Sequence, residues 1–305
     1  MSNDTYQAVF DQRAAKTSSV IAKRPPPLPL ILRLIRLGFR IGGTLSPKLA
    51  GRAAYKLWFT PTRFSTPASE QDALKSADCV YRKINDMNIA TYHWGQSGPA
   101  VLLVHGWSGR GTQLGAFVQP LIDAGFRVLS FDAPAHGISS GKQTTLYEIA
   151  DVILALNAQY GPFDSVITHS FGGPCLAVAI QRGLITSSVV SISPPARVAA
   201  LVDKFADTLA IPETAVKDFV LRFEDSFGKN IFEQASMVNN VRELDVPALV
   251  IHDEDDADIP WRDGQAVAQA WKNSIFIKTR TLGHRRILRD ALIIETAVDF
   301  IKSKN

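Results

Sequence analysis

The chain predicts an α/β fold, with a mostly parallel central sheet, helices on both faces, and a small helical cap inserted before the strand that ends in the acidic run HDEDD. Three observations predict it. From about residue 72, short β-rich apolar runs alternate with segments of helical period, and repeated strand-helix-strand units imply parallel strands. The run PAVLLVHG is β-rich and apolar, the pattern of a strand buried on both faces of a sheet. The alternation halts once, between about 194 and 244, where only helical patterns occur. At 305 residues there is room for one large domain with such an insertion, or for two smaller ones.

The elements follow in order. CVYRKI and IATYHWG read as paired antiparallel strands opening the sheet, and PAVLLVHG as its first buried strand. QLGAFVQPLIDAG reads as one helix ended by Gly125. FRVLSFDAP is a strand, and TLYEIADVILALNAQYG a helix with Leu146, Ile149, Ile153 and Leu156 on one stripe. DSVITHS, GPCLAVAIQRG and SSVVSIS continue the alternation as strand, helix and strand. Within the cap, Val198, Val202, Phe205 and Leu209 mark one helix, and Val216, Phe219 and Phe223 a second. VPALVIHDEDD resumes the sheet, followed by a helix from near Trp261, a strand in SIFIKTRTL and a last helix over about 286–302.

Ahead of this body lies a different segment. Residues 1–64 carry eleven Lys/Arg against Asp4 and Asp11, a balance of +9; the whole chain is +4, so the remainder sums to −5. The expected division is therefore a basic N-terminal arm over 1–64 and a domain over 65–305 with its cap at about 194–244. Residues 1–24 lack sustained periodicity and read as loosely held, and the prolines of RPPPLPL (24–30) favour extended chain. Beyond them Arg33, Arg36 and Arg40 share one side of a helix, and Lys48, Arg52 and Lys56 one side of a second. Two readings of these helices stand: apolar faces laid on the body with the cations in water, or a basic amphipathic hairpin on an anionic membrane surface. No nucleic-acid-binding motif accompanies the basic residues, so nucleic acid is not expected as a partner.

The composition is that of a soluble globular chain, with 46 % hydrophobic and 20 % charged residues. No apolar run approaches the ~20 residues of a spanning helix, and MSNDTYQAVFDQ lacks the basic and apolar regions of a secretory leader. Cys79 and Cys175, the two cysteines, lie far apart without metal-ligand spacing, which fits a reducing compartment. A cytoplasmic location, with membrane-peripheral contact through the arm as the second reading, is expected.

Five of the six histidines fall at strand ends beside Gly, Ser or Asp: His105, His136, His169, His252 and His284. In ITHSFGGP (167–174), Ser170 sits between a strand and a helix with Gly172 two residues on. A nucleophilic serine needs such a tight turn to expose its hydroxyl above the sheet. With VHGWSGRG after an earlier strand, HDEDDADIP after a later one and TLGHRRIL before the last helix, the chain from about 75 onward resembles the α/β-hydrolase fold family.

The resemblance implies a serine esterase or lipase-like enzyme with a helical cap. By it, Ser170 is the nucleophile, with Thr168 standing where the motif's first Gly would be and crowding the turn. The backbone N–H groups of Trp107 and Phe171 would form the oxyanion hole. Similar hydrolases carry His-Gly-x-x-Asp-x-x-Val-Pro after the acid strand; by that match the acid is Asp256, with Asp253 in place of the Gly, and Asp255 and Asp258 are the alternatives. His284 would be the base, giving the family's order Ser170, Asp256, His284. Asp132, His136 and Gly137 in FDAPAHGISSG read as scaffolding. The resemblance calls for no cofactor and no metal; the acidic loop lacks the spacing of a calcium loop.

The function so implied is hydrolysis of an ester-like acyl bond, carboxylic ester or thioester, in a small-molecule acyl substrate. Val198, Leu201, Val202, Phe205, Phe219, Phe223 and Phe227 in the cap suit an apolar acyl pocket and equally a cap's own core. Acyl transfer by the same triad, or a non-catalytic binding protein on this fold, are the alternatives, and the oligomeric state is unknown.

Overall fold

The structure, a computed structural model, describes Gln7, Phe10 and residues 28–304. The described residues form two compact units, one of 28–60 with 197–236 and the other of 61–196 with 237–304 and the two isolated N-terminal residues. The longer helices, in chain order, are α1 (Leu30–Leu45), α2 (Pro47–Trp58), α3 (Leu146–Tyr160), α4 (Gly172–Gln181), α5 (Val198–Leu209), α6 (Glu213–Phe227), α7 (Trp261–Ala270) and α8 (Ala291–Lys302).

The larger unit is built on eight strands: β1 (Asp78–Ile84), β2 (Met87–Trp94), β3 (Ala100–Val104), β4 (Arg127–Phe131), β5 (Phe163–His169), β6 (Ser188–Ile192), β7 (Ala248–Asp253) and β8 (Ser274–Thr279). They lie in the order β1-β2-β4-β3-β5-β6-β7-β8. β2 runs antiparallel to β1 and β4, and every other pairing is parallel. Asn85 and Asp86 turn the first hairpin, both with positive φ, as the right-handed twist of its strands favours. Val101, Leu103, Ile167, Val190, Leu249 and Ile251 share one face with Ile293, Ala297, Phe300 and Ile301 of α8. Their neighbours Leu102, Val166, Val189 and Val250 point the other way and are equally buried. The central strands are thus buried on both faces, and their few polar side chains, such as Ser165 and Ser191, are buried with them.

Local chemistry fixes several boundaries. Thr145 and Glu148 form a reciprocal capping box at the start of α3, with Glu148 N–H donating to Thr145 Oγ1 at 3.1 Å and Thr145 N–H to Glu148 Oε2 at 2.8 Å. The helix expected over 113–125 is shorter: a 3₁₀ turn at Gly115–Phe117 leads into helix at Val118–Asp123. Pro120 has no N–H to donate and is tolerated only in a first turn, so the helix starts just before it. The last helix likewise begins later than expected, at Ala291, after a short turn at Gly283–Arg286. A short helix at Gln71–Ser76 ahead of β1 was not anticipated.

Gln7 and Phe10 correct the expectation of a loosely held start at their two positions. The Gln7 side chain accepts from Lys278 N–H at 2.9 Å and donates to Lys278 O at 3.0 Å on the edge strand β8, and Phe10 is buried in the main core. The other residues of 1–24, and most of the proline run, lie outside the described residues; Pro29 is extended, at φ −52° and ψ 143°.

The smaller unit joins α1 and α2 to the cap helices α5 and α6. Tyr55, Trp58 and Phe59 at the end of α2 interlock with Phe205, Phe219 and Phe223, with ring centroids 5.2–5.8 Å apart across the two segments. Tyr55 also donates to Ser226 Oγ at 2.7 Å. Gly51 lets α2 approach closely, since a Cβ there would lie 2.9 Å from the Ala215 carbonyl oxygen and nearer still to the Asp218 carboxylate. Arg36 reaches the last carbonyls of α5, at Asp207 (2.9 Å) and Thr208, and satisfies acceptors that a helix end leaves open. Of the two readings for Phe219 and Phe223, acyl pocket or packing, the structure shows packing: both are buried beside Trp58 of α2.

Candidate active site

Ser170 follows the last residue of β5 and precedes α4, with φ at +51°. A left-handed serine is strained by roughly 1–2 kcal/mol, and the surroundings hold it there. Ser170 N–H donates to Ile192 O at 2.9 Å, and Gly173 N–H to Ser170 O at 3.0 Å. Two glycines make room: a Cβ on Gly106 would lie 2.9 Å from Ser170 Cβ, and one on Gly172 would lie 2.7 Å from Val104 O. The crowding expected from Thr168 is relieved sideways. Its hydroxyl donates to Ser191 Oγ at 3.1 Å on β6, and Gly173 leaves space for that group, since a Cβ on it would sit 3.1 Å from Ser191 Oγ.

The loop after β3 runs beside this turn. Among the described residues, the backbone N–H groups of Trp107 and Phe171 have no hydrogen-bond partner, as donors reserved for an incoming oxyanion would be. His105 secures the loop: its Nε2 accepts from Ala133 N–H at 3.0 Å, so Nδ1–H donates to Gly106 O at 2.7 Å. Burial lowers its pKa to about 4, and lowers that of His136, which stands edge-on to Trp107, to about 3. The Asp132 carboxylate takes Tyr92 OH, Gly111 N–H and Ile138 N–H at 2.6–3.0 Å, the fixed frame of the neighbouring loop.

Beyond β7 the acidic loop resolves into distinct carboxylates. The side chain of Asp256 is shielded from solvent and receives His284 Nδ1–H at 2.7 Å on Oδ2. The same oxygen lies 3.3 Å from His252 Nε2, whose N–H also reaches Ile259 O at 3.0 Å. Oδ1 takes the N–H groups of Asp258 and Ile259, each at 2.8 Å. Burial pushes the Asp256 pKa up, but the hydrogen bonds from His252 and His284 outweigh it and hold the carboxyl far below the ordinary range. Asp255 faces away from this pair and accepts from Thr281 N–H.

Asp253, buried where similar hydrolases carry Gly, has a separate task. Its carboxylate gathers Thr279 Oγ1–H (2.7 Å), Gly283 N–H (2.8 Å), Asp255 N–H (3.1 Å) and Leu282 N–H (3.2 Å). It therefore clamps the loop residues immediately before His284. His169 ties the same loop to the serine turn, since its Nε2–H donates to His284 O at 2.9 Å. Sequence reasoning left His252 and Asp253 without a role; the one sequence signal was an Asp at the motif's glycine position. The Ser170 hydroxyl has no hydrogen-bond partner among the described residues, so the serine-to-imidazole bond is the one link of the expected set not closed. Such bonds are often long before substrate arrives. No three His, Cys, Asp or Glu side chains among the described residues are grouped to hold a metal ion.

The sequence profile of the alpha/beta hydrolase family matches residues 101–295, a span that runs from β3 into α8 and takes in Ser170, Asp256 and His284. The chain belongs to the alpha/beta hydrolase family. An alpha/beta hydrolase of this shape has many solved counterparts. An esterase from Pyrococcus furiosus superposes with a TM-score of 0.61 at 18 % identity, covering 80 % of this chain and 98 % of its own. The alpha/beta hydrolase domain-containing protein 10 from mouse gives 0.60 at 18 % identity, with 74 % and 98 % covered. An esterase from a Rhodococcus species gives 0.57 at 15 % identity, with 75 % and 100 % covered. These likenesses establish the alpha/beta-hydrolase fold. No curated protein matches the chain by sequence.

Proposed function

We propose that this hydrolase is a serine enzyme that cleaves an ester-like acyl bond, carboxylic ester or thioester, through Ser170, His284 and Asp256. The observation that carries the reading is the 2.7 Å bond from His284 Nδ1–H to the solvent-shielded Asp256 carboxylate, on a loop anchored beside the left-handed Ser170. In the neutral ring that bond places the proton on Nδ1 and turns Nε2 into the acceptor that a general base requires. The esterases named above share the fold and fit the same reading.

In the proposed cycle Ser170 Oγ attacks the acyl carbonyl carbon while its proton passes to His284 Nε2. The carbonyl oxygen becomes an oxyanion held by the N–H groups of Trp107 and Phe171. Asp256, ionised at neutral pH, stabilises the imidazolium through Nδ1–H. Collapse of the intermediate breaks the bond to the alkoxide or thiolate, which takes the proton from His284. Water then attacks the acyl-serine, again giving a proton to His284, and the acid leaves with Ser170 Oγ reprotonated. Cys79 and Cys175 are both free thiols, which supports a reducing, cytoplasmic compartment for the enzyme.

A fluorophosphonate probe on wild type, Ser170→Ala and His284→Ala, followed by turnover of p-nitrophenyl esters from acetate to decanoate, tests the proposal. Labelling confined to Ser170 and an activity loss of about 10⁴-fold or more in either variant are expected. A folded wild type that neither labels nor turns over any ester overturns it.

A further inference from the structure

The helix α1 turns its apolar stripe outward. Leu30, Leu34, Leu37, Ile41 and Leu45 fall within one narrow sector of the helix, with Ile31 beside it, and each is 53–80 % exposed. The opposite face, at Phe39 and Gly43, is the one buried in the smaller unit. An exposed row of six large aliphatic side chains over about 24 Å of helix is not a solvated surface. Arg33 and Arg40 border it on one side. Lys48, Arg52 and the exposed Leu49 continue the same character into α2. These four cations have no ion-pair partner among the described residues, whereas Arg36 is engaged with the end of α5. Between Asp11 and Glu70 the chain holds no acidic residue.

We propose that α1 seats the protein on an anionic lipid surface, with the stripe entering the interface and Arg33, Arg40, Lys48 and Arg52 meeting lipid phosphates and carboxylates. Charge selects this occupant. A second copy docked stripe to stripe would bring like cations together with no carboxylate on either α1 or α2 to pair them. An anionic bilayer accepts both the aliphatic row and its flanking charge. Among the described residues no helix is long and apolar enough to cross a membrane, so the contact is peripheral.

Co-sedimentation of the full chain tests this with phosphatidylcholine vesicles, with and without about 30 % phosphatidylserine, at low and high salt. Wild type pellets with the anionic vesicles, less so in high salt. Arg33→Gln with Arg40→Gln weakens binding about 25-fold, near fivefold per charge. Leu34→Ser with Leu37→Ser and Ile41→Ser loses it by more than tenfold, and both variants keep the wild-type melting temperature and fluorophosphonate labelling. The proposal is overturned if wild type stays in the supernatant, binds both vesicle types equally, or is a dimer that the serine variant splits while no vesicle binds. Binding is read without turnover, so either result leaves the catalytic proposal to its own test.

Discussion

His169 and His284 are joined through the backbone: the ring that precedes the serine donates to the carbonyl of the histidine it faces, at 2.9 Å, with the two ring centroids 4.6 Å apart. The bond fixes where the imidazole of His284 can lie relative to the serine turn. His169→Phe should lower kcat about 10²-fold with little change in KM, the scale of an ångström-sized misplacement. His169→Gln, which can still donate, should recover most of it. A His169→Phe enzyme with full kcat would mean the tether does not position the base.

Ser170 stores backbone strain, and that strain is separable from its hydroxyl. Both Ser170→Gly and Ser170→Ala should be inactive, but glycine tolerates a φ of +51° and alanine does not. The glycine variant should be the more stable by about 1 kcal/mol in urea unfolding. Equal stability would show that the turn is not strained.

Asp253 binds four donors and touches no substrate-facing group, so its loss acts through the loop. Asp253→Asn turns one acceptor oxygen into a donor facing N–H groups. It should destabilise the protein by roughly 2–3 kcal/mol and slow turnover while leaving the Ser170 turn intact. The decisive readout is a crystal structure or hydrogen exchange at 281–284; unchanged protection there would refute the clamp.

Three neutral buried histidines predict sensitivity to mild acid. Burial lowers His105 to about 4, and His136 and His169 to about 3. Their unfolded value is ~6.5. Between these limits the unfolded chain binds more protons, so stability is complete above pH ~6.5 and is lost as the pH falls. At pH 5 the loss is roughly 2 kcal/mol for each histidine. Asp256, whose pKa is depressed, loses its contribution only below the ordinary carboxylate value near 4. Urea midpoints at pH 7, 6 and 5 should therefore fall steadily, and a flat profile would contradict the burial of neutral rings.

The parts of this molecule legible in its sequence are those whose chemistry is local. A serine in a strand-to-helix turn and an apolar strand each announce themselves within a few residues; Ser170 follows β5, and Asp256 and His284 lie after β7 and β8. What stayed hidden depends on distant neighbours. Phe219 and Phe223 have the same helical spacing whether they line a pocket or meet Trp58, and periodicity does not name a partner more than 140 positions away. Asp253 looked like one of several loop carboxylates until its burial and four donors set it apart.

The smaller unit is assembled from two stretches that are far apart in synthesis. The aromatic end of α2 emerges from the ribosome well before α5 and α6; at ~5–20 residues per second the delay is roughly 7–28 s. Throughout that interval Tyr55, Trp58 and Phe59 lack their partners Phe205, Phe219 and Phe223 while the strands between are being made. Completion of the smaller unit therefore waits on the synthesis of residue 227, long after its first helices are made.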